Sequence, residues 1–423
     1  MLRVKGTNDF LDLTMYNFVI DQIRKHLGIY CFNQIETPVL EHTELFKRTL
    51  GLHTDVVNKE MFLIKPHAHP DRVEGHDEKD SMCLRPEITA SMVRAFVDNA
   101  VQTTPWKVFV VGKCFRYERP QKGRFREFHQ ISIEVVGSTS VAQDVQMIKM
   151  LDRLFHEVLR FNNYALLINY LGCPMDRVAY REQLKKFLDA QTGLCADCME
   201  RKEKNIMRIF DCKVESCQLI YKNAPHIIDH LCKICQEEWQ QLQHDLELLS
   251  VTFVVQPALV RGLDYYNKTV FEFVSSGLGA QNTFCGGGRY DQLVTQIGGK
   301  HDQQSIGAAI GLERLLLVLE PYKDALSLPH APKLHVILPM APAQQTLALL
   351  LADELQAVGL CTEIFLEGAS IKNMMNKANK LGASYALILG DEEQQKNMVT
   401  VKNMITGAQE TIAQSVLIDH LRK

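Results

Sequence analysis

Long apolar segments are missing from this sequence of 423 residues, and none of its runs is long enough to predict a membrane-spanning helix. The first ten residues, MLRVKGTNDF, also lack the apolar core of a signal peptide. These two absences lead us to expect a cytoplasmic protein that has no membrane partner.

An excess of charge is missing as well, since the formal net charge is only -3 at pH 7. Such a molecule does not attract nucleic acid over its whole surface, so any anionic partner must be held by local basic patches. Apolar residues make up 46% and charged residues 23% of the chain, which is typical of a globular protein with a large core. At this length we expect two to four domains.

The hydrophobic pattern predicts several elements of the first half and middle of the chain. A helix is expected over residues 15–28, and WKVFVVGKCFRYERP and EFHQISIEVVGS predict two strands joined by a basic loop. Further along, FCGGGRYDQL is interpreted as a glycine loop and SIGAAIGLERLLLVLE as an apolar helix.

The residue composition of the chain changes in two further regions. Residues 172–250 are charged, rich in cysteine and mostly helical in pattern, so we interpret them as an inserted domain. Prolines indicate a linker over residues 323–332. Strands and helices alternate over residues 333–423, which predicts a small α/β domain.

The stretch RYERPQKGRFREFHQ, which begins at Arg116, places five basic residues directly before an alternating segment. In a strand, Gln130 and Glu134 share one face, while Ile131 and Ile133 lie on the other. The apolar face predicts packing against a core. The polar face is either solvated or part of a site, and the period of two does not decide between them.

Three arginines from separate parts of the chain, Arg116, Arg261 and Arg314, each stand beside core-like sequence. Burying a guanidinium group is costly unless an anion meets it. Because this group is planar, always charged and able to hold phosphate with two hydrogen bonds, the three arginines predict a triphosphate site.

Six of the twelve cysteines lie between Cys195 and Cys235, within the inserted segment. In a reducing compartment such a cluster favours metal ligands over disulfides, and two C-x-x-C pairs are typical of tetrahedral zinc. The predicted ligands of a structural zinc ion are Cys195, Cys198, Cys232 and Cys235, with Cys212 and Cys217 as alternates. The ligand set stays open, and the competing interpretation is a group of reduced, partly buried thiols.

A polar stretch, KPHAHPDRVEGHDEKD, contains His67, His69, Asp71 and His76. Without helical or turn-fixed spacing among these residues, we interpret the stretch as a solvated loop rather than a metal site.

Three motifs resemble those of class II aminoacyl-tRNA synthetases: IETPVLE the first, FRYERPQKGRFREFHQ the second and GAAIGLERLLL the third. LVRGLDYYNKTVFEF and GGGRYDQL resemble elements peculiar to the histidine enzymes. The resemblance to the bacterial-type histidyl-tRNA synthetase family runs over nearly the whole chain. It implies an α+β protein with an antiparallel-sheet catalytic domain, a helical insertion and a C-terminal α/β anticodon-binding domain.

The resemblance implies domain bounds. The expected parts are the catalytic domain over residues 1–171 and 251–322, the insertion over 172–250, the linker over 323–332 and the anticodon-binding domain over 333–423. It also implies the reaction. ATP and histidine form histidyl-adenylate with release of pyrophosphate, and the histidyl group then passes to the 3′ end of tRNA(His). Mg²⁺ is expected with ATP, and the first motif implies a homodimer.

Residue roles are carried over from the family by position. Arg116 and Arg261 would be catalytic at the α-phosphate, where Arg261 would supply a fixed cation, and Arg314 would complete the ATP site. The residues implied to bind histidine are Glu87, Ile88, Thr89, Arg116, Gln130, Glu134, Arg261, Tyr265 and Tyr266. Of these, Glu134 and Tyr266 would bracket the imidazole nitrogens. The glycines that would let the backbone approach the amino acid are Gly286, Gly287 and Gly288.

Contact with the acceptor end of tRNA is implied for Arg119, Gln121 and Arg124. The competing interpretation of this loop, which includes Lys122, is a solvated basic hairpin. Two rival functions share part of the same motifs. Catalytically idle paralogues serve as regulatory subunits of the first enzyme of histidine biosynthesis, but they usually lack the C-terminal α/β domain and have damaged ATP-binding arginines, whereas this chain keeps both features. A class II synthetase for another amino acid is the second rival.

Overall fold

The computed structural model describes residues 2–51, 54–65, 81–279 and 282–422. The stretch with His67, His69, Asp71 and His76 lies outside these residues. The chain divides into two compact units, Met1–Leu328 and Pro329–Lys423. No helix within the described ranges is long and apolar enough to cross a bilayer.

The first unit contains both strands and helices. Its strands are β1 (Asn33–Gln34), β2 (Leu40–His42), β3 (Phe62–Ile64), β4 (Met82–Leu84), β5 (Trp106–Phe115), β6 (Glu127–Val136), β7 (Ala165–Tyr170), β8 (Val254–Val255), β9 (Asn267–Val274), β10 (Thr283–Arg289) and β11 (Ser305–Gly311). Its α-helices are α1 (Thr14–Ile29), α2 (Thr43–Leu50), α3 (Thr89–Asp98), α4 (Val141–Arg153), α5 (Pro174–Asp189), α6 (Ala196–Lys204), α7 (Glu215–Tyr221), α8 (Lys233–Leu248), α9 (Leu293–Ile297) and α10 (Leu312–Leu319).

A large mixed sheet organises the first unit, with the strand order β1-β5-β6-β11-β10-β9-β7-β8. The six inner strands of this order are β5, β6, β11, β10, β9 and β7. Neighbouring strands among these six all pair antiparallel. The short outer strands β1 and β8 pair parallel with their neighbours. A small antiparallel sheet, β2-β4-β3, lies in the same unit. The predicted antiparallel-sheet domain is therefore confirmed.

The two strands predicted around the basic loop are β5 and β6, and they pair antiparallel with Val108 opposite Glu134. The burial of β6 differs from that of a half-buried strand, because both of its faces are buried. Gln130 is 8% exposed, while Ser132 and Glu134 are fully buried. The polar face of β6 therefore points into the interior of the first unit, where polar groups require partners.

Two predicted elements are wrong. FCGGGRY is no loop, since most of it belongs to the central strand β10, and SIGAAIG forms strand β11 rather than the start of a helix. The reason is close packing of backbones. A Cβ atom on Gly287 would lie 2.1 Å from the carbonyl oxygen of Gly307 on the adjacent strand. Runs of small residues lack the apolar period by which strands are recognised.

The second unit is an α/β domain. Its elements are β12 (His335–Pro339), α11 (Gln345–Ala357), β13 (Thr362–Ile364), α12 (Ile371–Lys380), β14 (Tyr385–Leu389), α13 (Asp391–Lys396), β15 (Met398–Asn403), β16 (Gln409–Ala413) and α14 (Leu417–Leu421). The strand order is β13-β12-β14-β15-β16, parallel among the first three strands and antiparallel after them. The predicted α/β class is confirmed.

Candidate active site

Arg116, Arg261 and Arg314 line one cavity. Arg116 directly follows β5, Arg261 lies on the connection between β8 and β9, and Arg314 is in the first turn of α10. The folded sheet thus gathers guanidinium groups from three distant parts of the sequence at a single concave surface.

Backbone carbonyls fix two of these arginines. The Nε–H of Arg116 donates to the Pro86 carbonyl at 2.9 Å. Arg314 donates from Nε to the Gly123 carbonyl and from Nη1 to the Thr283 carbonyl, both at 2.8 Å. A guanidinium group has five N–H donors, so these bonds orient the group and leave other donors for a ligand.

The positive charges in the cavity repel one another. Burial lowers the pKa of Arg314, and the neighbouring guanidinium groups of Arg124 and Arg116 lower it further. Carboxylates of Glu118 and Glu313 also line the cavity. An incoming polyanion would relieve the repulsion among the arginines, so the site favours a phosphate-bearing ligand.

Arg261 is held by a carboxylate. Its Nη1 pairs with Glu272, which also accepts a hydrogen bond of 2.7 Å from the Thr283 hydroxyl. Burial opposes the charge of Arg261, but Glu272 raises its pKa above the ordinary value. The buried Nε of Arg261 has no hydrogen-bond partner among the described residues. This donor is therefore available to an acceptor atom of a ligand.

Glu134 is an enclosed acid of the site. Its carboxylate accepts a hydrogen bond of 2.7 Å from the Thr89 hydroxyl and a short one from the Tyr290 hydroxyl. Burial raises the pKa of Glu134 to about 8, although both hydrogen bonds act in the opposite direction. A buried carboxylate of this kind is stabilised by a ligand that donates a hydrogen bond to it.

Glu87 stands at the beginning of α3. Its two oxygens accept the backbone N–H groups of Thr89 at 2.7 Å and Ala90 at 2.8 Å. Burial raises the pKa of Glu87, while these amides counteract part of the shift. Ile88 follows Glu87 as a fully buried residue. The LRPEITA stretch therefore turns its acid inward rather than toward solvent.

Three tyrosines lie close together near Glu134. The ring centroids of Tyr265 and Tyr266 are 4.5 Å apart, and those of Tyr265 and Tyr290 are 5.7 Å apart. The guanidinium carbon of Arg261, which lines the cavity, lies 5.6 Å from the Tyr266 ring centroid. Residues predicted to bind histidine and residues predicted to bind ATP are thus neighbours.

Gln130 and Gly286 connect the two predicted sites, because both line the cavity together with the three arginines. Gln130 lies on the same face of β6 as Glu134. Gly286 lies on β10, whose neighbours are β11 and β9. Of the three glycines predicted to approach the substrate, Gly286 on the central strand β10 lines the cavity, whereas Gly287 and Gly288 do not.

The residues predicted to touch tRNA separate into two groups. Arg119, Gln121 and Lys122 are exposed on the loop between β5 and β6. Arg124 instead lines the cavity and forms an ion pair with Glu118. The loop is a tight turn in which the Arg124 N–H donates to the Gln121 carbonyl at 2.9 Å.

Sequence reasoning missed four residues of the site, namely Tyr290, Glu272, Glu118 and Glu313. Tyr290 follows the GGGR run that the sequence predicts as a loop, so its position at a strand end is hidden. The carboxylate of Glu313 contacts the ring nitrogen Nδ1 of His129 at 2.8 Å. The sequence does contain a signal for Glu313, because an acidic residue at the start of an otherwise apolar helix, as in GLERLLL, is unusual.

The structure corrects the predicted zinc ligands, because the two C-x-x-C pairs belong to different groups. Cys195 and Cys198 lie beside Cys212 and Cys217. The remaining group consists of Cys173, Asp176, Cys232 and Cys235. The two pairs are held apart because one stands at the beginning of α6 and the other at the beginning of α8.

A large antiparallel sheet that brings arginines of separate motifs around one cavity is the architecture of a class II aminoacyl-tRNA synthetase. Comparison with known proteins agrees. A family model described as histidyl-tRNA synthetase matches residues 19–315, and one described as an anticodon binding domain matches residues 335–423.

Relatives extend the match to the full length. The histidine–tRNA ligase of Nitratidesulfovibrio vulgaris is 42% identical over 99% of this chain and 98% of its own length. That of Halothermothrix orenii is 41% identical over the same shares. The crystal structure of apo histidyl-tRNA synthetase from S. aureus covers 100% of both chains with a TM-score of 0.80 at 29% identity. The chain belongs to the histidyl-tRNA synthetase family and has the activity of a histidine–tRNA ligase.

Proposed function

We propose that the arginine-lined cavity is where this ligase joins histidine to ATP. The convergence of Arg116, Arg261 and Arg314 on one cavity is the observation that supports this assignment most strongly. The adjoining interior around Glu134 would take the amino acid. Domain bounds follow the same proposal, with residues 172–250 inserted into a catalytic domain of residues 1–322, a linker over 323–332 and an anticodon-binding domain over 333–423.

The chemistry is a displacement at phosphorus. A carboxylate oxygen of histidine attacks the α-phosphorus, and the bond from that phosphorus to the bridging oxygen of pyrophosphate breaks. Arg116 and Arg261 would hold the α-phosphate oxygens, and Arg314 would lie against the adenine and the outer phosphates. Because both reactants are anions, positioning and charge compensation by fixed groups account for most of the catalysis.

Arg261 fits the role of a fixed cation at the α-phosphate. Glu272 and the absence of a side chain at Gly286 determine its position, since a Cβ atom there would lie 2.6 Å from Nη1 of Arg261. Its Nε, which has no hydrogen-bond partner in the part of the chain that the structure describes, would donate to a phosphate oxygen. A preorganised donor of this kind needs no reorganisation as charge develops in the transition state.

The buried groups around Glu134 would receive the imidazole ring of histidine. A neutral imidazole has one N–H donor and one acceptor nitrogen. Glu134 would accept from the N–H, and the hydroxyl of Tyr266, with Tyr265 alongside, would donate to the second nitrogen. An amino acid without ring nitrogens would offer neither the donor for Glu134 nor the acceptor for Tyr266, and the loss of both hydrogen bonds would disfavour it.

The α-amino group of histidine would be held at the start of α3 and on β6. Glu87, Thr89 and Gln130 would bind it, with the backbone of Ile88 beside it. The buried Glu87 carboxylate supports this role, because an ammonium group would compensate a charge that burial disfavours.

Mg²⁺ would accompany ATP. The ion prefers oxygen ligands, and the carboxylates of Glu118 and Glu313 at the cavity wall suit it. When bound, it would neutralise charge on the outer phosphates. Glu118 also pairs with Arg124, so the same acid helps to keep that arginine in place.

Transfer of the histidyl group requires tRNA(His) at the same cavity. Arg119 and Gln121, exposed on the loop that carries Arg116 at its base, would contact the acceptor end. Arg124 would contact the acceptor end at the place where this loop meets the ATP site. The second unit, which matches an anticodon binding domain over residues 335–423, would bind the anticodon of the tRNA.

We also propose a homodimer. The IETPVLE motif leads into β2, and Val39 and Leu40 are 36% and 45% exposed there, while Leu63 on β3 is 59% exposed. The register places Leu40 and Leu63 on opposite faces of this small sheet, so the proposal rests on Val39 and Leu40 at the motif, whose exposed apolar side chains are suited to an interface between identical chains. Light scattering on purified protein should give twice the chain mass of 48.2 kDa. A monomer at micromolar concentration would contradict this part of the proposal.

The assignment of the activity to histidine is tested by pyrophosphate exchange with each of the twenty amino acids. Exchange with histidine alone is expected. Absence of exchange with all of them would favour a regulatory paralogue, and exchange with a different amino acid would favour a synthetase of other specificity.

A further inference from the structure

Four thiols of the inserted segment form a compact group. The Sγ atoms of Cys195, Cys198, Cys212 and Cys217 all lie within 4.8 Å of one another, and those of Cys195 and Cys212 are 3.8 Å apart. Four bonds of about 2.3 Å to a tetrahedral zinc ion place sulfur atoms about 3.8 Å from one another. A disulfide would bring two sulfurs to about 2 Å, and each of these cysteines is a free thiol.

Donors surround this group in the way that thiolates require. The backbone N–H of Cys195 donates to Sγ of Cys217 at 3.2 Å, and that of Val214 donates to Sγ of Cys212 at 3.4 Å. Outer hydrogen bonds of this type orient metal ligands and stabilise their charge.

A second group lies elsewhere in the segment. Donor atoms of Cys173, Asp176, Cys232 and Cys235 are also all within 4.8 Å of one another. The Asp176 carboxylate accepts the backbone N–H of Cys173 at 3.1 Å and that of Cys232 at 2.9 Å, one on each oxygen. Each oxygen keeps a further lone pair, so the carboxylate can still ligate a metal.

The two groups share one local construction. Cys195, Cys232 and Cys173 are each the residue directly before a helix, and the next ligand follows three residues later in the first turn. In α5 that partner is Asp176, so C-x-x-D takes the place of C-x-x-C. The beginning of a helix stabilises negative charge, which favours thiolate and carboxylate ligands there.

We propose that the segment between β7 and β8 holds two separate zinc ions. The first would be bound by the four thiols of Cys195, Cys198, Cys212 and Cys217, and the second by Cys173, Asp176, Cys232 and Cys235. Thiolate-rich tetrahedral sites select zinc over Mg²⁺ and Ca²⁺, which prefer oxygen ligands in larger number.

The positions of the two centres give them different tasks. The second centre links the start of α5 to the start of α8, which are the first and last α-helices of the inserted segment. The first centre fixes α6 and α7 within it. None of the eight ligands lines the arginine cavity, so both ions are structural and the inference is independent of the chemistry proposed there.

Metal content of the full chain, purified from zinc-supplemented cells, tests the inference. Two zinc ions per chain are expected. The double variant C198S/C217S should retain one ion, the double variant D176A/C235S should also retain one, and a variant with all four substitutions should retain none. The matched control C31S/C361S changes two exposed cysteines outside both groups and should keep two ions.

Cobalt titration of the wild-type protein, freed of zinc, covers the case in which the double variants fail to fold. Thiolate-to-cobalt absorption should saturate at two equivalents. Saturation at one equivalent, or a zinc content of one or less per chain, would overturn the inference. Pyrophosphate exchange on the same samples keeps this proposal apart from that for the active site, because exchange is expected at the arginine cavity whatever the zinc content of a folded chain.

Discussion

The hydroxyl of Tyr290 donates a short hydrogen bond to the carboxylate of Glu134 across an intervening strand. Glu134 lies on β6 and Tyr290 directly follows β10, while β11 lies between these strands. The contact is possible because Gly307, the residue of β11 opposite Glu134, has no side chain. The proposed histidine pocket therefore depends on a glycine whose role is to leave space for the acid.

Gly307→Ala should abolish histidine binding. A Cβ atom at this position would lie 1.6 Å from Oε2 of Glu134, so the carboxylate would have to move. We expect a destabilisation of about 1–3 kcal/mol, as for other overpacked interiors. Calorimetric titration with histidine and urea unfolding measure both effects.

The control for this substitution is Gly28→Ala in α1, where an added Cβ would meet nothing within 4 Å. Helix propensity predicts that Gly28→Ala leaves binding intact and raises stability by roughly 0.5–1 kcal/mol. Equal histidine affinity in both variants would show that Glu134 does not need the space at Gly307.

Tyr290→Phe should weaken histidine binding without changing the fold. The substitution removes a hydrogen bond from a buried carboxylate, which costs on the order of 1–3 kcal/mol, or roughly ten- to hundredfold in affinity. Tyr117→Phe is the matched control, because the Tyr117 side chain is 54% exposed. Indistinguishable dissociation constants for the two variants would remove Tyr290 from the pocket.

Glu134→Gln should flatten the pH dependence of stability. The pKa of Glu134 rises from 4.5 to about 8 in the folded chain, so the folded state holds a proton that the unfolded state has lost between these values. This contribution is complete below pH 4.5 and is lost as pH rises through about 8. Relative to the variant, the wild-type free energy of unfolding should fall over that window by on the order of a few kcal/mol. If urea unfolding gave the same dependence of the free energy of unfolding on pH for the wild type and for Glu134→Gln, the raised pKa assigned to Glu134 would be contradicted.

Arg119→Ala should separate the two steps of the reaction. Arg119 is exposed and does not line the cavity, so pyrophosphate exchange with histidine should be unchanged. Charging should show a lower affinity for tRNA and become less sensitive to salt, as expected for a lost phosphate contact. Arg48→Ala, on the exposed side of α2, provides the control. Equal charging by both variants would leave the loop as a solvated hairpin.

Fold class could be predicted wherever apolar periods are clear in the sequence. The paired strands β5 and β6 and most strands of the second unit follow from alternation and from β-branched residues. Gly286, Gly287 and Gly288 defeat the same approach, because a strand of glycines in the middle of a sheet has no side chains to show a period. Only the packing of neighbouring backbones reveals why glycine is needed there.

The cost of burying arginine was a useful but incomplete guide to the site. It brings attention to Arg116, Arg261 and Arg314, which do line one cavity. It applies equally to Arg289, which is 1% exposed yet forms an internal ion pair with Asp144 at 2.6 Å. A guanidinium group that meets an internal carboxylate cannot be told from one that awaits a ligand until the partner's position is known.

The cysteines show the same limit in another form. Spacing identifies the C-x-x-C pairs, but pairing between distant segments depends on how helices are placed. Cys173 and Asp176 were missed because C-x-x-D carries no distinctive signal, and its meaning appears only when α8 brings Cys232 and Cys235 beside it.

Arg261→His is the most direct test of the proposed active site. The shorter side chain withdraws a cation from the α-phosphate, so histidine-dependent pyrophosphate exchange should fall by roughly a hundred- to a thousandfold. Arg48→His, which changes an exposed arginine, should retain full exchange, and circular dichroism should confirm that both variants are folded. Exchange by a folded Arg261→His protein at the wild-type rate would contradict the role of this arginine and, with it, the use of the cavity for adenylate formation.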